Sequence, residues 1–265
     1  MKTLVITGGS SGIGLATAEA FAKAGYIVYE LSRHGKDRQG VHHLDCDVTL
    51  PEDCRRAVAA VISQEGHIDV LVSNAGMGIS GSIEFTTPDE MHRQLEVNFF
   101  GSVNVVQAVL PYMREQLKDA SLPKPSIIFV SSMAAVFAIP FQAFYSASKS
   151  AISALAMSLR NELRPLGINV TCLLPGDVKT GFTASRAKSV VGADVYPKMT
   201  KAVVAMEHDE MNGITPERMA KQILCMAQKK APKAFYTVGW QYHLFALLSK
   251  ILPATLVYYI VGKMY

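Results

Sequence analysis

At 265 residues, with 49% apolar and 18% charged residues, the chain has the size and composition of one α/β domain and is not a disordered segment. Its net charge of +4, from 26 Lys and Arg against 22 Asp and Glu, is too small and dispersed to argue for nucleic acid, but suits an anionic cofactor. The cysteines Cys46, Cys54, Cys172 and Cys225 show neither C-x-x-C spacing nor a ligand-like cluster with His, which points to reduced thiols in a cytosolic protein, with no disulfide framework and no metal.

Residues 4–7 read as a strand, and no charged leader or long apolar run precedes them, so no signal peptide is expected. A helix over 13–24 ends at Gly25. Strands follow over 26–31 and 41–44, then a helix over 51–64 and a buried-type strand over 68–73. Residues 89–117 read as a long helical region with Pro111 as the expected kink. Strand 127–131, helix 143–164 and strand 168–174 come next. A helix over 215–229 has Thr215 as N-cap and Pro216 at its first position, and residues 234–238 form the last strand. Strands alternating with helices imply βαβ units, hence a doubly wound parallel sheet in a single domain. His42 and His43 read as edge or surface residues and His67 as exposed.

Thr7-Gly8-Gly9-Ser10-Ser11-Gly12-Ile13-Gly14 joins the first strand to the first helix. Gly8 and Gly12 can take turn conformations closed to other residues, and the helix starting near Ile13 aims its N–H groups at an anion such as a pyrophosphate. The second strand ends Glu30-Leu31-Ser32-Arg33-His34. A carboxylate there holds the ribose hydroxyl of NAD, whereas a basic group accepts the extra phosphate of NADP. Ser32 stands where the acid is expected and Arg33 can fork onto a phosphate, with Ser11 adding a hydroxyl, so NADP(H) is preferred over NAD(H). Glu30 reverses this preference if the register is two residues off.

Tyr145 and Lys149 lie one turn apart on one helix face. A free phenol has a pKa near 10, and an adjacent ammonium lowers it toward neutrality, which suits proton exchange with a carbonyl or alcohol oxygen during hydride transfer. Ser132 follows the 127–131 strand and can hold that oxygen, and Asn98 is a polar residue in an apolar helix.

With these motifs in this order, together with Asp47-Val48, Asn74-Ala75-Gly76 and Pro175-Gly176-xxx-Thr180, the sequence resembles the short-chain dehydrogenase/reductase family, the variety of about 250 residues. The resemblance is dense over residues 2–182 and looser beyond. It implies a Rossmann-type fold with Tyr145 as acid/base, Ser132 orienting the substrate oxygen, and Lys149 lowering the Tyr145 pKa while holding the nicotinamide ribose. Asn98 would hold a water linking Lys149 to solvent. Gly8, Ser10, Ser11, Gly12, Ile13 and Gly14 would receive the phosphates, and Ser32 and Arg33 the adenosine ribose. Asp47 and Val48 would contact adenine, Asn74, Ala75 and Gly76 the adenosine side, and Pro175, Gly176, Val178 and Thr180 the nicotinamide. The sequence departs from the family at Ser73, at Ala135, and in the short connection between Arg33 and Val41, which leaves no room for the usual helix. Association as a homodimer or homotetramer is implied through the helices near 98–117 and 143–164.

Met77, Met133, Met157, Met199, Met206 and Met211 are candidates for an apolar substrate wall. Residues 183–213 read as a substrate lid. The catalytic domain is expected over 1–239, followed by an apolar extension over 240–265 that Lys250 and Pro253 interrupt before it is long enough to span a bilayer. Three readings of this tail stand open: packing on its own domain or a partner subunit, peripheral contact with a membrane surface, or capping a hydrophobic pocket. The tail, the lid and Ala231-Pro232-Lys233-Ala234 resemble hydroxysteroid and retinol members of the family. The expected substrate is therefore a hydrophobic secondary alcohol or ketone, steroid-like first and fatty-acyl-derived second. The rival from another class is a non-catalytic NADP(H)-binding sensor or scaffold.

Overall fold

Runs such as Leu4-Val5-Ile6 and Ile127-Ile128-Phe129 offer no polar side to water, so each must lie between two covered faces. The computed structural model, which describes residues 1–265, buries all six of these residues completely. In chain order the first half comprises β1 (Thr3–Thr7), α1 (Gly12–Lys23), β2 (Ile27–Ser32), β3 (Val41–Asp45), α2 (Pro51–Glu65), β4 (Val70–Ser73), β5 (Ile79–Ser80), α3 (Pro88–Leu95) and α4 (Gly101–Gln116). The second half comprises β6 (Ser126–Val130), α5 (Ala143–Leu163), β7 (Asn169–Leu173), α6 (Phe182–Ser185), β8 (Ala187–Lys188), α7 (Met199–Met211), α8 (Pro216–Ala227) and β9 (Phe235–Tyr236). Two tail helices complete the chain, α9 (Trp240–Ile251) and α10 (Ala254–Met264).

The main sheet is parallel, in the order β3-β2-β1-β4-β6-β7-β9. Successive side chains alternate between its faces. Val5, Tyr29, Leu71, Phe129 and Cys172 join the core under α2, α4 and α5, while Leu4, Ile6, Val28, Val72 and Ile128 meet α1 and α8. This is the expected doubly wound, Rossmann-type α/β domain. Strand order reverses between β1 and β4, and such a switch point opens a crevice at the carboxyl ends of the strands.

Three local features shape that crevice. Residues 33–40 join β2 to β3 without a helix. Val41 pairs with Val28, so the chain must retrace only the length from Ser32 to Val28, roughly 13 Å, which an extended segment covers and a helical crossover does not need. The helical region near 89–117 is interrupted at a π-helical turn, Glu96–Phe100, and not at Pro111, through which α4 continues. Such turns carry one extra residue, and here the extra residue turns Asn98 inward. Finally, α3 begins with a reciprocal capping box that sequence reasoning missed: Glu90 N–H donates to Thr87 Oγ1 (3.3 Å) and Thr87 N–H to Glu90 Oε2 (2.9 Å). Thr215 does occupy the N-cap position of α8, with Pro216 after it, but its hydroxyl makes no capping bond.

The histidines meet expectation only in part, for His42 and His43 do lie on the edge strand. His42 is exposed on the edge strand and stacks on Tyr29, but His43 places Nδ1 2.5 Å from Oε1 of the fully buried Glu30. His67 is mostly shielded, with Nε2 3.2 Å from the buried Asp69 carboxylate.

Residues 183–213 are tied to the body at two points: β8 pairs with β5 in a small second sheet, and Tyr196 Oη donates to Glu84 Oε2 (2.7 Å). Within the segment, the buried Arg186 forms an ion pair with Glu210 on α7. The tail packs back on its own domain, burying Tyr242 and Val261. No helix is long and apolar enough to cross a membrane.

Candidate active site

The turn after β1 is built by glycine. Gly8 and Gly12 sit at φ +66° and +52°, in the left-handed region that side chains avoid. Gly14 allows the helix to approach the strand, since a Cβ there would stand 2.0 Å from the Gly8 carbonyl oxygen. Ser11 occupies the N-cap of α1 without a capping bond from its side chain. The first N–H groups of α1 and the Ser10 and Ser11 hydroxyls therefore border one side of a cavity of about 830 Å³, together with Ile13. That volume lies within the usual range for cofactor and ligand sites.

Asn74 makes this turn rigid. Its Nδ2 donates to the carbonyl oxygens of Thr7 (3.0 Å) and Gly8 (3.2 Å), while Thr7 Oγ1 accepts from Asn74 N–H and Ala75 N–H (both 3.0 Å). Asn74 is thus a brace, although it also borders the cavity with Ala75 and Gly76. Asp47 uses Oδ1 to hold Thr49, and both Asp47 and Val48 line the cavity. Ser32 and Arg33 line it as well, with Arg33 Nη1 4.0 Å from Asp47 Oδ2. Glu30 does not. Its carboxylate lies beneath Gly9 and Gly35, bound to His43 and reached by the Ser32 hydroxyl at 3.3 Å. The alternative register, with Glu30 as ribose acid, is therefore not the observed one.

Pro175, Gly176, Val178 and Thr180 also line the cavity, with Thr180 beside Gly12. Pro175 O accepts from Met133 N–H (2.7 Å), and Tyr242 Oη on α9 accepts from Asp177 N–H (2.9 Å) and donates to Asp177 Oδ2 (2.7 Å). The Tyr242 ring also lies against Gly176, where a Cβ would overlap it. Nothing in the sequence pattern singled out Tyr242 or Asp177.

Ser132, Tyr145 and Lys149 face the same cavity. Ser132 precedes a 3₁₀ turn at Met133–Ala135, and its Oγ accepts from Ala134 N–H (3.1 Å). Ser131 points the other way and pins α5 by donating to the Lys149 carbonyl (2.8 Å). Burial pushes the Tyr145 phenol up to about 12; Ser132 works against this, and the Glu210 carboxylate adds to it. Burial lowers Lys149 to about 8. Its Nζ lies 5.8 Å from the Tyr145 ring centroid and donates to the Val130 carbonyl (3.0 Å), so its hydrogen bond in this structure goes to the backbone and not to the phenol.

Asn98 is fully buried. Its Oδ1 accepts from Met77 N–H (2.8 Å), and Nδ2 donates to Met77 O (3.1 Å) and Ser148 Oγ (3.0 Å). Both amide protons are spent on the protein, so the side chain locks the loop after β4 to α5, while Oδ1 keeps one lone pair unused. Gly76 fits between Asn98 and Lys149: a Cβ there would lie 3.3 Å from Asn98 Oδ1 and 3.5 Å from Lys149 Nζ.

The far end of the cavity is apolar. Met77, Met133 and Met206 line it with Phe182, whose ring is 5.8 Å from that of Tyr145. Phe245, Leu248, Leu252, Val257 and Val261 of the tail complete the wall, so the tail both packs on its own domain and caps the pocket. Asp209 and Glu210 are polar exceptions that sequence reasoning missed. The glycine turn, the free Ser11 hydroxyl, and Lys149 and Ser132 bordering one elongated cavity fit a bound dinucleotide, with its phosphates at α1 and its reactive ring near Tyr145.

The short chain dehydrogenase family model matches residues 2–190. A 3-ketodihydrosphingosine reductase of Bacteroides thetaiotaomicron is 39% identical over 242 residues, covering 90% of this chain and 88% of the relative. Among solved structures, a short-chain dehydrogenase from Streptomyces avermitilis superposes with a TM-score of 0.81 at 26% identity, covering 94% of each chain. An alcohol dehydrogenase from Thermococcus sibiricus, complexed with 5-hydroxy-NADP, gives 0.72 at 25% identity, covering 90% of this chain and 96% of the other.

Proposed function

Because the chain belongs to the short-chain dehydrogenase/reductase family and is an oxidoreductase with a nicotinamide cofactor, we propose that it reduces a lipophilic ketone with NADPH. The observation that carries this reading is the single cavity in which Ser132, Tyr145 and Lys149 stand between a phosphate-binding turn and an apolar wall. The dinucleotide, when bound, supplies the hydride. Tyr145 gives its phenolic proton to the carbonyl oxygen that Ser132 holds by a hydrogen bond. With its pKa at about 12 the phenol carries that proton at neutral pH, the form that reduction requires. Lys149 places a cationic group beside the phenol and holds the ribose, while Asn98 keeps Gly76 and α5 in register. The tail and Phe182 exclude water from the reacting carbon.

The preference for NADPH rests on Arg33, which borders the cavity, and on the burial of Glu30 away from it. Arg33→Ala is expected to weaken NADP(H) binding by roughly tenfold to a hundredfold, the value of one or two charge-assisted hydrogen bonds, with NAD(H) binding almost unchanged. Titration of both cofactors by nucleotide fluorescence measures this, and an unchanged NADP(H) affinity contradicts the assignment.

The sequence alone placed a steroid-like ketone ahead of a fatty-acyl-derived one. The Bacteroides relative is named for 3-ketodihydrosphingosine, a long-chain amino ketone, and this reverses the order. The apolar tail wall suits an alkyl chain, and the Asp209 carboxylate suits an amino group, whereas Glu210 is already paired with Arg186. A screen of NADPH oxidation with long-chain keto bases, plain long-chain ketones and steroid ketones tests the reading. Turnover of the steroids alone sinks it. Subunit pairing through α4 and α5, with Tyr112 exposed on α4 and Phe100 exposed just before it, belongs to the same proposal.

A further inference from the structure

The tail helices cover the cavity with one face and leave the other bare. On α9, Trp240, Leu244, Leu247 and Ile251 recur at the spacing of one helical stripe. Trp240, Leu247 and Ile251 are 77%, 54% and 66% exposed. On α10, Leu256, Tyr258 and Tyr259 are exposed in the same way. We propose that this face seats the protein on a bilayer surface carrying anionic head groups, with α9 and α10 lying in the interfacial plane.

Length decides between lying and spanning. The helices have 12 and 11 residues, reaching about 18 Å each at most, against a hydrocarbon core of about 30 Å, and Pro253 separates them. An apolar stripe with aromatic residues and a lysine at its edge is the pattern of an interfacial helix. Trp240, Tyr258 and Tyr259 suit the head-group level, where amphipathic rings collect.

Charge points to the same occupant. From Arg218 to Tyr265 the chain has seven Lys and Arg and no Asp or Glu, whereas residues 1–217 carry 19 basic against 22 acidic residues. Within the tail, Lys250 and Lys263 are the charged residues, and Lys263 Nζ lies 5.6 Å from the Tyr259 ring centroid. No carboxylate on these helices repels an anionic surface.

The wall of the cavity includes residues of these same helices. Phe245, Ile260 and Met264 line it and are also exposed. A second copy of the chain seated here would seal those residues. A bilayer would instead hold a lipophilic ketone against them. Entry of substrate by this route rests on the proposed reductase activity, whereas docking does not.

The test is co-sedimentation of the full chain with vesicles of phosphatidylcholine alone, or of phosphatidylcholine with phosphatidylglycerol. The wild type is compared with Leu247→Glu/Ile251→Glu and Lys250→Glu/Lys263→Glu. The proposal expects binding to the mixed vesicles, weakened at least roughly tenfold by the apolar-to-acidic pair and reduced by salt and by the lysine reversal. Both variants should reduce a small water-soluble ketone at the wild-type rate, which shows that they are folded, but should lose rate on a long-chain ketone held in vesicles. Absence of vesicle binding overturns the proposal, as does equal binding by Leu247→Glu/Ile251→Glu. So does a dimer that this variant dissociates in sedimentation analysis, because the face is then a subunit interface. Vesicle binding without turnover of any ketone upholds docking and rejects the reductase reading instead.

Discussion

Tyr145→Phe is expected to lower turnover by roughly a hundredfold to ten-thousandfold, the range that a positioned general acid contributes. The substitution removes one oxygen and leaves the ring, so its contact with Phe182 and the packing of α5 should persist. Cofactor affinity should stay within about twofold, because the phosphate turn, Arg33 and Lys149 are untouched. Single-turnover kinetics with NADPH and a reducible ketone separate the two effects. Near-normal turnover by the Phe variant would refute the assignment of Tyr145 as proton donor. A loss confined to cofactor binding would instead make Tyr145 a positioning residue.

The largest effect on stability is expected at His43. Glu30 is fully buried, and its carboxylate is bonded to His43 Nδ1, whose ring also meets Asp45 at 3.1 Å. Burial alone would lower the His43 pKa, but the bonds to Asp45 and Glu30 outweigh it and raise the pKa above the ordinary imidazole value. His43→Leu leaves the buried carboxylate with the Ser32 hydroxyl at 3.3 Å and no charged partner, and should cost about 3–5 kcal/mol. Glu30→Gln in the same chain should restore much of the loss, since the remaining amide is neutral. Urea denaturation of the four chains of this cycle measures the coupling, and simple additivity of the two substitutions would rule the pair out as a stabilising unit. The pH dependence has a fixed sign. A raised folded-state pKa gives stability that is fully present below the unfolded value, about 6.5, and is lost as pH rises through the folded one. The gap between wild type and His43→Leu should therefore narrow in alkaline buffer. The same variant should weaken dinucleotide binding, because Gly9 of the phosphate turn rests on the Glu30 side chain.

The sequence made legible those features that depend on local spacing. Gly8 and Gly12 announce a turn by their chemistry, and Tyr145 with Lys149 a shared face by their separation. Apolar runs marked all seven strands of the main sheet to within about two residues. The features that escaped depend on partners distant along the chain. Glu30 and His43 face each other only through the β2–β3 register, which no pattern within either strand encodes. Tyr242 and Asp177 are 65 positions apart. Asn98 gave no local sign of its bonds to Met77 and Ser148, which lie 21 and 50 positions away. Pro111 attracted the expected break because proline is the strongest local signal in that stretch, yet the tertiary need to turn Asn98 inward placed it at Glu96–Phe100. The tail was ambiguous for a related reason: composition shows that a helix is apolar, not which of its faces finds a neighbour.

The π-helical turn between α3 and α4 also constrains how such a chain can vary in length. Each residue of a helix turns it by about 100°. Deleting one residue between Glu96 and Phe100 would restore a regular helix only by rotating α4 against α3. Either Asn98 would swing away from Met77 and Ser148, or Val105, Val109 and Met113 would leave the core. Insertions and deletions are therefore barred from this stretch, while the loop over residues 117–125 can absorb them, and the number of residues between Thr87 and Met113 is as much a part of the site as the identity of Asn98.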